Sequence, residues 1–129
     1  LELKDPNMDK DIDIIKTIHA KYLHFMNNRD INKVSELFEY PAVFKGFLDK
    51  VQIAKDAKEL KDIYKDLITS APIADSIMLN DTVPFKLRDD TYAIIMSYSQ
   101  YNNKKEIFSG SACYIFSKIN KKWKMNAVL

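Results

Sequence analysis

The side chains best placed to do chemistry are two that fall within one helical turn of each other, His19 and Tyr22. Across residues 9–28 the apolar positions Ile12, Ile15, Ile18, Tyr22 and Met26 recur every three or four residues, the period of a helix with one buried face. His19 lies on that face with Tyr22 beside it. A neutral imidazole there can take a proton near physiological pH, and a phenol can donate a hydrogen bond. Both types also serve structurally. An inward histidine without a second titratable partner lacks the group that orients a general base, and a helix tyrosine more often packs with its hydroxyl satisfied. His24 points to the opposite face, toward solvent. Two histidines five residues apart on opposite sides of a helix cannot share one ion, so no metal and no cofactor is expected.

Cys113 is the sole cysteine, which excludes an intrachain disulfide and a cysteine-held metal. Its sequence neighbours carry no positive charge that would favour a thiolate. Ser97, Ser99, Ser109, Ser111 and Cys113 form polar rows on neighbouring predicted strands, either bonding a ligand or lying at a contact face. The 20 basic and 18 acidic residues nearly balance, leaving +2, and only Arg29 and Arg88 are arginines. That balance and that scarcity argue against a nucleic-acid partner, because bidentate phosphate recognition favours arginine. The lysine clusters at 104–105 and 121–124 fall in turns and read as solubilising. No apolar run reaches the roughly 20 residues of a membrane span, and the charged N-terminus does not resemble a signal peptide. A cytoplasmic location is the expectation. Residues 1–8 are expected to be a loose N-terminal segment, with Met8 a candidate native start.

The 129 residues, 47% hydrophobic and 12% aromatic, suit a single domain with its own core. After the first helix Asn27-Asn28 breaks the pattern, and Asp30 caps a short second helix carrying Ile31, Val34, Leu37 and Phe38 inward until Pro41. Residues 42–47 form a strand that 50–53 can pair with. A third helix spans 55–70, with Leu60, Ile63, Tyr64, Leu67 and Ile68 inward, and Pro72 ends it. Everything beyond reads as strand: 75–87, 91–101, 107–119 and 123–128, separated by turn sequences and therefore antiparallel neighbours. In the second and third of these strands both alternating sets are bulky, so the sheet is expected to be covered on both faces. Phe44, Phe47, Tyr64, Phe85, Tyr98, Tyr114, Phe116 and Trp123 are expected core.

This order resembles the nuclear-transport-factor-2-like superfamily, which includes ketosteroid isomerases and polyketide-cyclase-like (SnoaL-like) proteins. Its local marks are the segment from Lys21 through Tyr22, Asn28 and Arg29 to Asp30, and the segment from Leu37 through Pro41 and Ala42 to Phe44. The resemblance spans 9–128. It implies an α+β cone of the cystatin-like type: three helices packed in the concave face of a curved, mainly antiparallel sheet, with a pocket inside. It also implies a homodimer through the outer sheet face. Tyr22 matches the isomerases' oxyanion donor. Their base maps near Gly46, where Asp49 is the one acid within reach, and their second acid has no counterpart between Ser109 and Phe116, so isomerase chemistry is not expected. The leading expectation is a binding module for a small, mostly hydrophobic molecule, walled by Tyr22, Met26, Phe44, Tyr64, Tyr98, Ser111 and Tyr114. The alternative is a cyclase- or dehydratase-type enzyme using His19, Tyr22 and Asp49.

Overall fold

The computed structural model describes residues 6–47, 49–70 and 74–129. Helix α1 (Pro6–Asn27) starts three residues before the expected boundary, so 6–8 belong to it rather than to a loose segment. Its stripe Ile15, His19, Tyr22 and Met26 lies along one face at i, i+4, i+7 and i+11. Helix α2 (Ile31–Glu36) is capped as expected, Asp30 Oδ1 accepting from the Lys33 amide at 3.2 Å.

Pro41 does not end α2. Strand β1 (Phe38–Phe47) begins at once, because the Met125 amide donates to the Leu37 carbonyl at 3.0 Å and Phe38 pairs with Met125. Pro41 sits inside β1 after a cis Tyr40–Pro41 bond, where the ladder is irregular and no amide donor is demanded of it. Strand β2 (Lys50–Ala54) folds back on β1. Helix α3 (Ala57–Ser70) begins two residues later than expected, since Asp56 accepts from the Glu59 amide at 2.9 Å and Glu59 reaches back to the Lys55 amide at 2.8 Å. Pro72, the expected stop, lies outside the described residues.

Strands β3 (Ser76–Arg88), β4 (Thr91–Asn102), β5 (Lys105–Ile119) and β6 (Lys122–Val128) form the expected meander. The six-stranded order is β2-β1-β6-β5-β4-β3, antiparallel except where β1 runs parallel to β6. The sheet is curved and open, with the helices against its concave face. Asn103-Lys104 and Asn120-Lys121 all have φ between 51° and 65°, the type I′ signature of a two-residue hairpin. Lys104 gains nothing from its side chain there. Lys104→Gly is expected to raise stability by about 0.5–1 kcal/mol, read from the urea midpoint.

The core unites α1, α2, α3 and the inner sheet face: Ile15, Tyr22, Val34, Phe38, Phe44, Leu60, Tyr64, Tyr92, Ile94, Phe116, Met125 and Val128 are all buried. Phe85 is a correction, since it is 47% exposed. A bulge between Leu79 and Asp81 changes the parity of β3, so Ile77 and Leu79 share the concave face with Tyr98 and Gln100. Beyond the bulge Val83 and Phe85 pair with Ile95 and Ala93 on the outer face. The side chain of Phe47 lies outside the described residues. No described helix is long and apolar enough to cross a membrane.

Candidate functional site

Four of the expected residues converge inside the cone. Tyr22 from α1, Tyr64 from α3 and Tyr114 from β5 bring their hydroxyls together, and His19 sits one turn back on α1. The Tyr22 and Tyr64 hydroxyls are 2.9 Å apart. The Tyr114 ring lies edge-on to Tyr22 at 5.3 Å, so three phenols cluster about Tyr22, with the Tyr22 and Tyr64 hydroxyls hydrogen-bonded. His19 meets the Tyr114 ring edge-on at 4.5 Å and stacks toward Tyr22 at 6.4 Å. Phe44 closes the group from below, 5.6 Å from Tyr64 and 5.5 Å from Phe38.

The cluster is dry: Tyr22 is 4% exposed, Tyr64 0%, Tyr114 4% and His19 3%. Burial therefore dominates its electrostatics. It pushes Tyr22 well above the usual phenol range, helped by the charge Tyr64 would carry and by the hydrogen bond to Tyr64, while Tyr114 opposes. Tyr64 and Tyr114 are raised for the same first reason. Desolvation lowers His19 from 6.5 to about 4. At neutral pH the site is an uncharged set of hydrogen-bonding groups. One of them is unsatisfied: His19 Nε2 is buried with no hydrogen-bond partner among the described residues, a state that costs about 1–3 kcal/mol.

Tyr98 extends the cluster toward the open end of the cone. Its ring is tilted on Phe108 at 6.1 Å, and it faces Gly110 across the β4–β5 ladder. The contact is close: a Cβ at Gly110 would lie 3.0 Å from Phe108 Cε1 and 3.4 Å from the Tyr98 hydroxyl, so a side chain there would displace the Phe108 ring. At the same end a cleft of about 390 Å³ opens between the end of α1, α3 and the start of β3, bordered by Met26, Arg29, Ile68, Asp75, Ile77 and Gln100.

Met26 thus lies at the mouth rather than in the interior. Ser111 does not join the set: it pairs with Ser97 on the outer face, one step out of phase with Ala112 and Tyr114. Asp49 is an exposed residue of the β1–β2 turn with φ 56°, and it takes no part in the polar contacts of the cluster. His24 is solvent-exposed and contacts Asn28 at 3.2 Å. Cys113 is partly buried, and burial raises its thiol, the direction opposite to a reactive thiolate. Among the described residues no group of three His, Cys, Asp or Glu could hold a metal. Sequence reasoning missed Ile77 and Gln100. Gln100 continues the alternate set of Tyr92, Ile94, Met96 and Tyr98 on β4 and was readable, whereas the face of Ile77 depends on the β3 bulge.

No protein-family model matches the chain, and no curated protein matches it. Solved structures do. A protein of unknown function with a cystatin-like fold from Nostoc punctiforme superposes with a TM-score of 0.70 at 20% identity, covering 99% of this chain and 92% of its own. A nuclear-transport-factor-2-like protein with a cystatin-like fold from Novosphingobium aromaticivorans gives 0.65 at 13% identity, covering 95% and 81%. A protein provisionally named a ketosteroid isomerase, from Parabacteroides distasonis, gives 0.66 at 16% identity, covering 88% and 81%. The chain has the cystatin-like α+β fold of nuclear-transport-factor-2-like proteins.

Proposed function

We propose that the protein binds a small, uncharged, mostly hydrophobic molecule carrying a hydrogen-bonding oxygen or nitrogen, received through the mouth of the cone. The observation that carries this reading is the dry cluster of Tyr64, Tyr22 and Tyr114, with its Tyr22–Tyr64 hydrogen bond, beside the unpartnered His19 Nε2. Uncharged donors in an aromatic wall suit a neutral polar tip on an apolar body. The cleft beside Met26, Ile77 and Gln100 is the proposed entrance, and Tyr98 and Phe108 stand on the same face of the sheet as Gln100.

N-phenyl-1-naphthylamine, an uncharged fluorophore, should show saturable one-to-one emission enhancement. Ile77→Asp puts a charge in the cleft and is expected to weaken the probe by about tenfold with little change in melting temperature. Equal affinity in wild type and Ile77→Asp would sink the proposed entrance. Tyr22→Phe removes the hydroxyl that Tyr64 bonds; a loss of about 1–2 kcal/mol of stability is expected from the urea midpoint, and no loss would show that this buried bond is not formed.

A cyclase- or dehydratase-type enzyme is the second reading, and the unpartnered imidazole favours it. Among the described residues no carboxylate at the cluster orients that imidazole, since Asp49 stands in the turn. Binding is the better-supported function.

A homodimer through the outer sheet face is part of this proposal. One apolar row crosses all six strands there in register: Phe85, Ala93, Ile115, Ala127, Val43 and Ile53. Phe85 and Ile53 end it at 47% and 59% exposed, and Ile95 beside it at 44%. Rows of this kind mark contact surfaces. Native mass spectrometry should show a dimer for the wild type and a monomer for Ile95→Arg; a monomeric wild type at micromolar concentration rules this part out.

A further inference from the structure

The geometry points to a phosphate-binding cleft at the closed end of the cone, opposite the mouth and independent of it. The cleft has a volume of about 520 Å³, larger than the one at the mouth, and four separate pieces of chain supply its cations: Lys10 from α1, Lys86 from β3, Lys118 from β5 and Lys121 from the β5–β6 turn. Lys121 is held in a left-handed backbone conformation at φ 65°, which fixes where its side chain leaves the turn.

Two carboxylates also border the cleft, and both are already engaged. Asp89 pairs with Lys86 at 3.0 Å, and Asp11 Oδ1 accepts the Trp123 indole N–H at 3.2 Å. Lys10, Lys118 and Lys121 have no carboxylate within ion-pair distance among the described residues. The Lys118 ammonium instead stands 6.0 Å over the Trp123 ring, which keeps it at the cleft wall. Four ammonium groups against two carboxylates leave the cleft an excess of positive charge in a concave site, and a multiply charged anion is what neutralises that best. Lysines act as point charges rather than as forks, so this site reads charge more than shape and weakens with salt. The ligand class is a phosphate or diphosphate group, free or on a small organic body that the apolar Ile14 and Trp123 side of the cleft can accept.

Trp123 is the only tryptophan of the chain, so its emission reports on this cleft alone. Pyrophosphate titrated at constant ionic strength is expected to change that emission saturably, and sodium chloride at the same ionic strength is not. Lys118→Gln with Lys121→Gln should raise the half-saturating concentration by about tenfold or more. The same charge removal at the far hairpin, Lys104→Gln with Lys105→Gln, should leave it unchanged. Should the cleft double variant melt early, Lys118→Gln alone carries the test. An emission change that chloride reproduces overturns the site. So does a pyrophosphate response that the cleft variants keep, or one that the far-hairpin variant loses equally.

Discussion

Acidification is expected to cost the native state on the order of 3 kcal/mol through His19 alone, as pH falls from 6.5 toward about 4. The direction follows from linkage. In the folded protein burial depresses His19 to about 4, whereas the unfolded chain titrates at 6.5. Between those values the unfolded state holds a proton that the native state lacks, so lowering the pH favours unfolding. Above 6.5 both states are neutral and the full stability is present; below about 4 both are protonated and the loss is complete. The cause is burial against Tyr22 and Tyr114, with no carboxylate among the described residues to reward its charge. Urea midpoints measured from pH 7.5 to 4 check this by comparison with His19→Leu, which keeps the carboxylates and removes this titration. The variant should lose stability less steeply across that window, and identical slopes would refute a buried neutral imidazole. His24→Gln, on the solvent side of the same helix, is the matched control.

Phe44→Ala is expected to destabilise the fold by about 3–5 kcal/mol, the usual cost of emptying a fully buried aromatic position. Phe44 is wholly buried, and it packs on both Phe38 and Tyr64, the second of which anchors the phenol cluster. The loss should therefore appear twice, as a lowered urea midpoint and as weakened probe binding. Val51→Ala, on the exposed part of β2, should change stability by less than about 0.5 kcal/mol. A midpoint for Phe44→Ala that matches Val51→Ala would show that Phe44 lines open space rather than holding the core.

Much of the candidate site was legible because local rules place its members. The α1 stripe follows from helical period, and so does the adjacency of His19, Tyr22 and Met26. Tyr64 on the inward face of α3 and Tyr114 on β5 follow from periods of 3.6 and 2. Asp49 and Ser111 failed for different reasons. Asp49 was an extrapolation across a tight turn, where a shift of one or two residues moves a side chain from interior to solvent. Ser111 belonged to the wrong alternate set of its own strand, and a strand does not reveal which set is inside until it meets a neighbour. Phe85 failed through the β3 bulge, which reverses parity partway along a strand whose sequence alternates without a break.

His19 and Tyr22 show the division between local and tertiary determinants. That the two share one apolar helix face was determined by the sequence itself, as were the element order, the antiparallel meander and the turn chemistry, because each depends on contacts between residues close along the chain. What surrounds that face was decided only by tertiary structure. The parallel β1–β6 pairing and the curl of the sheet bring Tyr64 and Tyr114, 50 residues apart in sequence, against Tyr22, and leave His19 Nε2 buried without a partner among the described residues. The four lysines of the closed end likewise meet only because the β3–β4 and β5–β6 turns lie beside the first turns of α1. Long-range register and burial are collective properties of the packed sheet, and no local pattern encodes them.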